Sequence, residues 1–356
     1  MSLTAFPRSL GGAIARNEGL HRANKAKQDE FYTQRKDIEE ELKHYKSFFE
    51  NKTVFCNCDD PFESEFFKYF ALNFNHLKLR KLICTSYAGS PISHTELDDL
   101  PLFKKNSKMP YMIEITEVDD YNKDGKEDLG DIEYLLRNNK NTLTILDGDG
   151  DFRSEECVEF LKEADIVVTN PPFSLFREFL KLLVDYKKDF IIIGNTNSLS
   201  YKEVFQLFKN DKIRTGYTKF NVGMFFRVPD DWKKYTRVVD GIKLARVSTS
   251  CWLTTLPVAK HKDVLVSYRK YMPDCYPKYD NYDAININNY KEIPEEYYGV
   301  MGVPITFLDK YNPGQFELIG QMVTTKIDDY NFGYPYINGK RIYARILIKR
   351  RRNNDN

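Results

Sequence analysis

Residues 166–173 read Ile-Val-Val-Thr-Asn-Pro-Pro-Phe, and the paired prolines constrain the fold more than any other stretch of the 356-residue chain. The β-branched run suits a strand buried on both faces of a parallel sheet. Proline lacks a backbone N–H and has a fixed φ, so Pro171 and Pro172 end that strand's hydrogen-bonded ladder. An amphipathic segment, Ser174-Leu175-Phe176-Arg177-Glu178-Phe179-Leu180, begins at once. Asn170, Pro171, Pro172 and Phe173 are therefore expected at the carboxyl end of a strand, where open α/β sheets bind ligands.

Strand-like and helix-like patterns alternate around this unit. Thr53–Cys56, Lys81–Thr85, Leu143–Leu146 and Phe190–Ile193 read as strands. Phe66–Phe70, Glu155–Glu163 and a stretch from about Lys202 read as helices. Residues 88–110, rich in Ser, Pro, Asp and Lys, read as a loop. The alternation predicts an α/β fold with a doubly wound, mostly parallel sheet and helices on both faces. Residues 24–47 are highly charged, with Phe31, Tyr32, Ile38, Leu42 and Tyr45 spaced as on one helix face.

Beyond about residue 212 the pattern changes. Phe225–Val228 and Ser250–Leu253 suggest strands without helical partners, and from Tyr268 the chain becomes dense in Tyr, Lys, Asp, Asn and Pro. These shifts divide the chain into a flexible basic arm over 1–22, an α/β domain over 23–260 and a C-terminal region over 261–356. The formal charge of +1 means that any surface for a polyanion has to be local. The six cysteines lack zinc spacing, since Cys56 and Cys58 are too close and no later pair completes a set. Reduced thiols of a cytoplasmic protein are expected. No apolar run has transmembrane length, and no signal-peptide core follows the N-terminal basic residues, so no membrane contact is expected.

Two acidic loops border predicted strands. One is Asp147-Gly148-Asp149-Gly150-Asp151-Phe152-Arg153. A calcium loop needs Gly at its sixth position and Glu at its twelfth. Counted from Asp147 these are Phe152 and Val158, so no metal is expected. The other, Cys56-Asn57-Cys58-Asp59-Asp60-Pro61-Phe62-Glu63-Ser64, follows the first strand. Its acids and proline make a turn, and Ser64 has the chemistry of a helix cap.

The Asn170–Phe173 tetrad resembles the Asn-Pro-Pro-aromatic motif of amino-methyltransferases that use S-adenosylmethionine. The chemistry accounts for the residue types. The exocyclic amine of adenine is a weak nucleophile because its lone pair is delocalised. The resemblance implies that the Asn170 amide oxygen and the Pro171 carbonyl accept its N–H bonds and free that lone pair, a gain from orientation and fixed dipoles. Pro172 shapes the same turn, and Phe173 offers a face on which an extruded base stacks. The motif order is similar to that of gamma-type adenine methyltransferases. Asp29–Gln34, Cys56–Pro61, Gly148–Ser154, Ile166–Glu178, Tyr276–Ile285 and Gly299–Leu308 look like the EcoRI-type modification methylases, over about residues 22–350.

This resemblance implies N6-methylation of adenine at a defined site in double-stranded DNA. It also implies a cognate restriction endonuclease without a stable complex, and a monomeric enzyme. Carried over residue by residue, Tyr32 and Thr33 close over S-adenosylmethionine, while Asp59, Asp60 and Pro61 hold its methionine end. Asp151 accepts from its adenine amine, and Phe152 stacks on that ring. Two departures stand out. The loop after the first strand lacks glycines, and Thr85-Ser86-Tyr87 replaces the usual ribose-binding acid.

The C-terminal region is the expected reader of DNA sequence. Arg341, Arg345, Lys349, Arg350, Arg351 and Arg352 form its most basic stretch. Phe225, Phe226 and Trp252 are alternatives for the second face of the flipped base. Competing readings are an RNA adenine methyltransferase, a glutamine-amide methyltransferase, and a non-catalytic DNA-binding protein on a methylase scaffold.

Overall fold

The computed structural model describes residues 32–58, 60–88, 109–121, 123, 125, 128–138, 143–220, 222–228, 233 and 235–352. The expected N-terminal arm, Phe31, Asp59 and nearly all of the predicted 88–110 loop lie outside these residues. An eight-stranded sheet forms the centre. Its members are β2 (Thr53–Cys56), β3 (Lys81–Thr85), β4 (Tyr111–Ile115), β5 (Leu143–Ile145), β6 (Ile166–Thr169), β7 (Asp189–Asn195), β8 (Arg214–Thr215) and β12 (Ser250–Thr254). The order across the sheet is β5-β4-β3-β2-β6-β7-β12-β8.

The sheet is mixed rather than mostly parallel. Only the pairings β3–β2, β2–β6 and β6–β7 are parallel. Strands β4 and β12 run against their neighbours, so the four flanking pairings are antiparallel. An apolar run reads the same in either direction, so its composition does not reveal this reversal. Strand β4 itself escapes the loop-like composition before it, although Tyr-Met-Ile-Glu-Ile alternates buried and half-buried side chains.

Alternation along the central strands builds two apolar layers. Val54, Cys56, Leu82, Cys84, Ile166, Val168, Ile191 and Ile193 face one. Helices α1 (Arg35–Leu42), α2 (Glu65–Leu72) and α3 (Leu129–Asn138) supply its cover. Phe55, Ile83, Val167, Phe190 and Ile192 face the other. There the cover comes from α4 (Glu155–Glu163), α5 (Phe176–Asp185) and α6 (Lys202–Lys209). Burying such side chains contributes about 1.5–3 kcal/mol each.

A smaller sheet lies beside the first layer. It combines β1 (Tyr32–Thr33), β9 (Met224–Arg227), β10 (Arg237–Val239) and β11 (Ile242–Val247) in the order β1-β9-β11-β10. Tyr32 and Thr33 are thus in a strand rather than on the expected continuous helix face, pairing with Arg227 and Phe226. Strand β9 supplies the open edge, and Tyr and Thr suit a pleated, half-buried surface.

The C-terminal region forms a further sheet of β13 (Ile285–Asn286), β14 (Val300–Val303), β15 (Phe316–Met322) and β18 (Arg345–Arg350), ordered β13-β14-β18-β15, while β16 (Tyr336–Ile337) and β17 (Lys340–Arg341) pair separately. Its Phe307, Phe316, Leu318, Ile346 and Ile348 belong to the same apolar cluster as α5 and α6. Polar ties cross the junction: His261 Nδ1 lies 2.6 Å from the Tyr311 carbonyl, and its Nε2 2.9 Å from that of Thr215. The Lys209 ammonium donates to the Ile319 carbonyl at 2.7 Å.

The basic stretch near the C-terminus is only partly a free surface. Strand β18 is an inner strand, and Arg345 is buried. Its guanidinium donates to Asn286 at 3.0 Å, to Asn288 at 2.8 Å, and to the carbonyls of Tyr343 and Ala344. Arg350 donates to Ser267 and to the Pro294 carbonyl. A buried cation survives only when its donors are satisfied; those of Arg345 are satisfied internally, whereas the Arg350 Nε is buried with no hydrogen-bond partner among the described residues. Arg345 therefore supports the sheet and is unavailable to a phosphate.

Candidate active site

The parallel strands β2, β3, β6 and β7 share a direction, so their carboxyl ends open at one edge of the sheet. The tetrad leaves β6 there. Asn170 is 7% exposed, Pro171 and Pro172 are buried, and Phe173 is half-buried at the start of a short turn of helix that leads into α5. The same edge receives the turn after β2. Its Asp60 is buried, and its side chain accepts from the Tyr111 hydroxyl at 2.9 Å and the Phe62 N–H at 3.0 Å. Ser64 caps α2, accepting from the N–H groups of Phe66 and Phe67.

Burial weakens Asp60 as an acid and raises its pKa to about 7, against the opposing pull of Tyr111 and the Phe62 N–H. A carboxylate removed from water favours its neutral form unless charge or hydrogen bonds compensate. In this turn the Asp60 Oδ2 and Asn57 Nδ2 atoms are buried, with no hydrogen-bond partner among the described residues. The Thr33 Oγ1 atom is in the same condition. Each such unmade bond costs about 1–3 kcal/mol. A carboxylate oxygen, an amide N–H and a hydroxyl suit a polar ligand carrying an amino and a carboxyl group. Asn57 was not expected as a site residue. Its position inside the Cys56–Pro61 turn was the available signal.

The Asp147–Arg153 loop closes the same edge. Gly150 has φ +74°, and a Cβ there would stand 2.1 Å from the Ser86 carbonyl oxygen. Glycine is thus required for the loop to touch the end of β3. The Ala88 N–H donates to the Asp149 carbonyl at 3.0 Å. Asp151 is clasped by Arg153, whose Nε and Nη2 donate to its two oxygens at 2.8 and 2.7 Å. Arg153 also reaches Glu178 on α5 at 2.7 Å. Phe152 is 4% exposed and meets the Phe179 ring edge-on at 5.1 Å. Little of Phe152 is therefore exposed, and its ring packs edge-on against α5. Ser86, where an acid was expected, ties β3 to β4 through the Tyr111 N–H at 2.9 Å.

The smaller sheet meets the tetrad. Phe226 is fully buried and lies edge-on to Phe173, with ring centroids 6.4 Å apart. Trp252 is fully buried against Phe66, and Phe225 carries the Arg237 guanidinium 3.9 Å from its ring centre. Among the three aromatics expected as alternatives, Phe226 is the one whose ring meets Phe173. Arg227, next in β9, pairs with Glu63 at 2.8 Å. The Tyr32–Thr33 strand, the Asp60 turn and the Asn170 turn are thereby linked through β9.

Comparison with known proteins identifies the family. The family described as adenine-specific methyltransferase EcoRI matches residues 19–351. The Type II methyltransferase M.EcoRI of Escherichia coli is 45% identical over 347 residues, covering 95% of this chain and 98% of that protein. The Type II methyltransferase M.MgeORF184P of Mycoplasma genitalium is 37% identical, covering 93% of this chain and 98% of the relative. M.MpnI of Mycoplasma pneumoniae, also a Type II methyltransferase, is 35% identical with 94% and 98% covered. No solved structure matches the chain significantly. With its Asn-Pro-Pro-Phe turn at the sheet edge and a family match spanning nearly its whole length, the chain belongs to the EcoRI family of adenine-specific methyltransferases.

Proposed function

We propose that this methyltransferase modifies the N6 amine of one adenine within a defined site of duplex DNA, as the modification half of a restriction-modification system. The observation that carries the reading is the Asn170–Phe173 turn at the shared strand edge, beside buried polar atoms suited to a cofactor. S-adenosylmethionine, when bound, supplies a methyl group on a positively charged sulfur. Asp60, Asn57 and Pro61 suit its methionine end, with Thr33 and Tyr32 above. Asp151 and Phe152 are the residues for its adenine, and the Arg153 clasp holds the Asp151 carboxylate in one orientation.

The target amine donates to the Asn170 amide oxygen and the Pro171 carbonyl. These acceptors favour a pyramidal nitrogen whose lone pair points away from the ring. Phe173 supports the extruded base by stacking, and Phe226 braces Phe173 from its edge. No strong base is needed, because orientation and fixed dipoles carry the rate enhancement. In this reading residues 23–260 are catalytic, 261–356 recognise the target and 1–22 form a basic arm. The test is transfer of labelled methyl from S-adenosylmethionine to duplex DNA, single-stranded DNA and RNA, followed by sequencing of modified bases. Label on N6 of adenine at one duplex site supports the reading. Label confined to RNA, or none, overturns it.

A further inference from the structure

The β10–β11 hairpin lies outside the site described above, yet its strands continue the sheet that contains Phe226. Its tip is Asp240-Gly241, with φ of 50° and 80°. Two positive φ values make the tight loop whose twist matches that of paired strands. Opposed residues of an antiparallel pair share a face, as do residues two apart along a strand. Ala245 opposes Phe226, and Lys243 opposes Val238. Lys243 and Val238 therefore lie on the Phe226 face, about 7 Å nearer the tip. Val238, Val239 and Ile242 are 52%, 42% and 41% exposed. Arg237, Lys243 and Arg246 stand against the single acid Asp240 between residues 237 and 247. The hairpin thus combines cations with exposed branched apolar side chains at the far edge of the sheet that reaches Phe173, Lys243 and Val238 on its Phe226 face and Arg237, Arg246, Val239 and Ile242 on the other.

We propose that this hairpin is a DNA-contacting element in its own right, separate from the C-terminal region. The proposal rests on the DNA-methylation reading. The cations follow the phosphates beside the target, and the apolar tip packs against the bases next to the extruded adenine, holding the opened step apart. A second copy of the chain would also cover the apolar residues. Two cationic hairpins repel each other, however, whereas a polyanion with apolar base faces matches both features.

The test uses the full chain and a duplex carrying 2-aminopurine at the adenine found to be methylated. Emission of that base rises when it leaves the stack. The tip variant Val238→Ser/Val239→Ser/Ile242→Ser is expected to lose most of this rise, roughly tenfold in the extruded fraction, since unstacking costs a few kcal/mol. The charge variant Arg237→Gln/Lys243→Gln is expected to weaken DNA binding and to flatten the log–log salt slope by about 2. Both should bind S-adenosylmethionine as the parent does. Parental emission and salt slope in both variants overturn the proposal while leaving the methylation reading intact. So does sedimentation showing a dimer that the tip variant dissociates. A parent chain that methylates no DNA overturns both.

Discussion

Asp60 gives the sharpest test of the cofactor assignment, because its burial makes cofactor binding depend on pH in a calculable way. The carboxyl's pKa is raised from its ordinary 3.8 to about 7, chiefly by desolvation. That rise corresponds to about 4 kcal/mol of opposition to its charge. The sign follows from linkage. The folded chain holds the proton more tightly than the unfolded chain, so this contribution to stability is complete below pH 3.8 and is lost as pH rises through 7. A ligand that brings an ammonium or sulfonium to the carboxylate needs it ionised. The ionised fraction is about 0.9 at pH 8 and about 0.09 at pH 6, so affinity for S-adenosylmethionine should fall roughly tenfold between them. Asp60→Asn should weaken binding at pH 8 by about 1.5–3 kcal/mol and remove this component of the pH dependence. Tyr111→Phe deletes a bond that favours the ionised form, so its midpoint should move to higher pH. Calorimetric titration at pH 6, 7 and 8 measures all three proteins. The cofactor's own amino group titrates near pH 8 and affects each protein alike. Parallel curves for the parent and Asp60→Asn would refute the reasoning.

Four other changes have defined outcomes. Asn170→Ala should lower the single-turnover methylation rate by about a hundredfold or more with an unchanged melting temperature, since one acceptor at the reacting amine is lost. Phe173→Ala should reduce methyl transfer by the equivalent of about 1–3 kcal/mol, while Phe173→Tyr keeps most of it, and equal activities in a rate assay would exclude stacking. Gly150→Ala should destabilise its loop by about 1–3 kcal/mol, through both its positive φ and the Ser86 carbonyl, and should weaken cofactor binding more than DNA binding in parallel titrations. Arg345→Ala should cost about 1–3 kcal/mol in urea unfolding, from the acceptors it leaves unpaired, without changing the DNA affinity of folded protein, because its partners are internal.

What could be read from the chain depended on how local the cause was. Helix α4 has the predicted limits because Ser154 caps it and its apolar residues repeat at helical spacing. The end of β6 was legible because proline stops a ladder whatever surrounds it. Strand β1 was not, since Tyr32 and Thr33 become a strand only when β9, nearly two hundred residues later, offers an edge. Direction in the sheet was hidden for a similar reason: nothing within Tyr111–Ile115 or Ser250–Thr254 says which neighbour each will meet. Arg345 looked like a surface cation because its asparagine partners stand 57 and 59 residues away. The β10–β11 hairpin carries a local signal, the Asp240-Gly241 pair between apolar residues.

The apolar cluster that joins α5 and α6 to the C-terminal sheet has a consequence for how a duplex is handled. Two bodies connected by a mobile seam can close around a rod. Two bodies sharing one interior move together, and separating them would expose Phe307, Phe316 and Ile346 to water. A seam closed in this way does not part to admit the duplex, so fitting around it falls to the double helix, which bends, twists or unstacks to bring its adenine to the strand edge. Sequences that deform easily around the target should then be methylated faster than stiff ones, even where the altered base pairs touch no side chain.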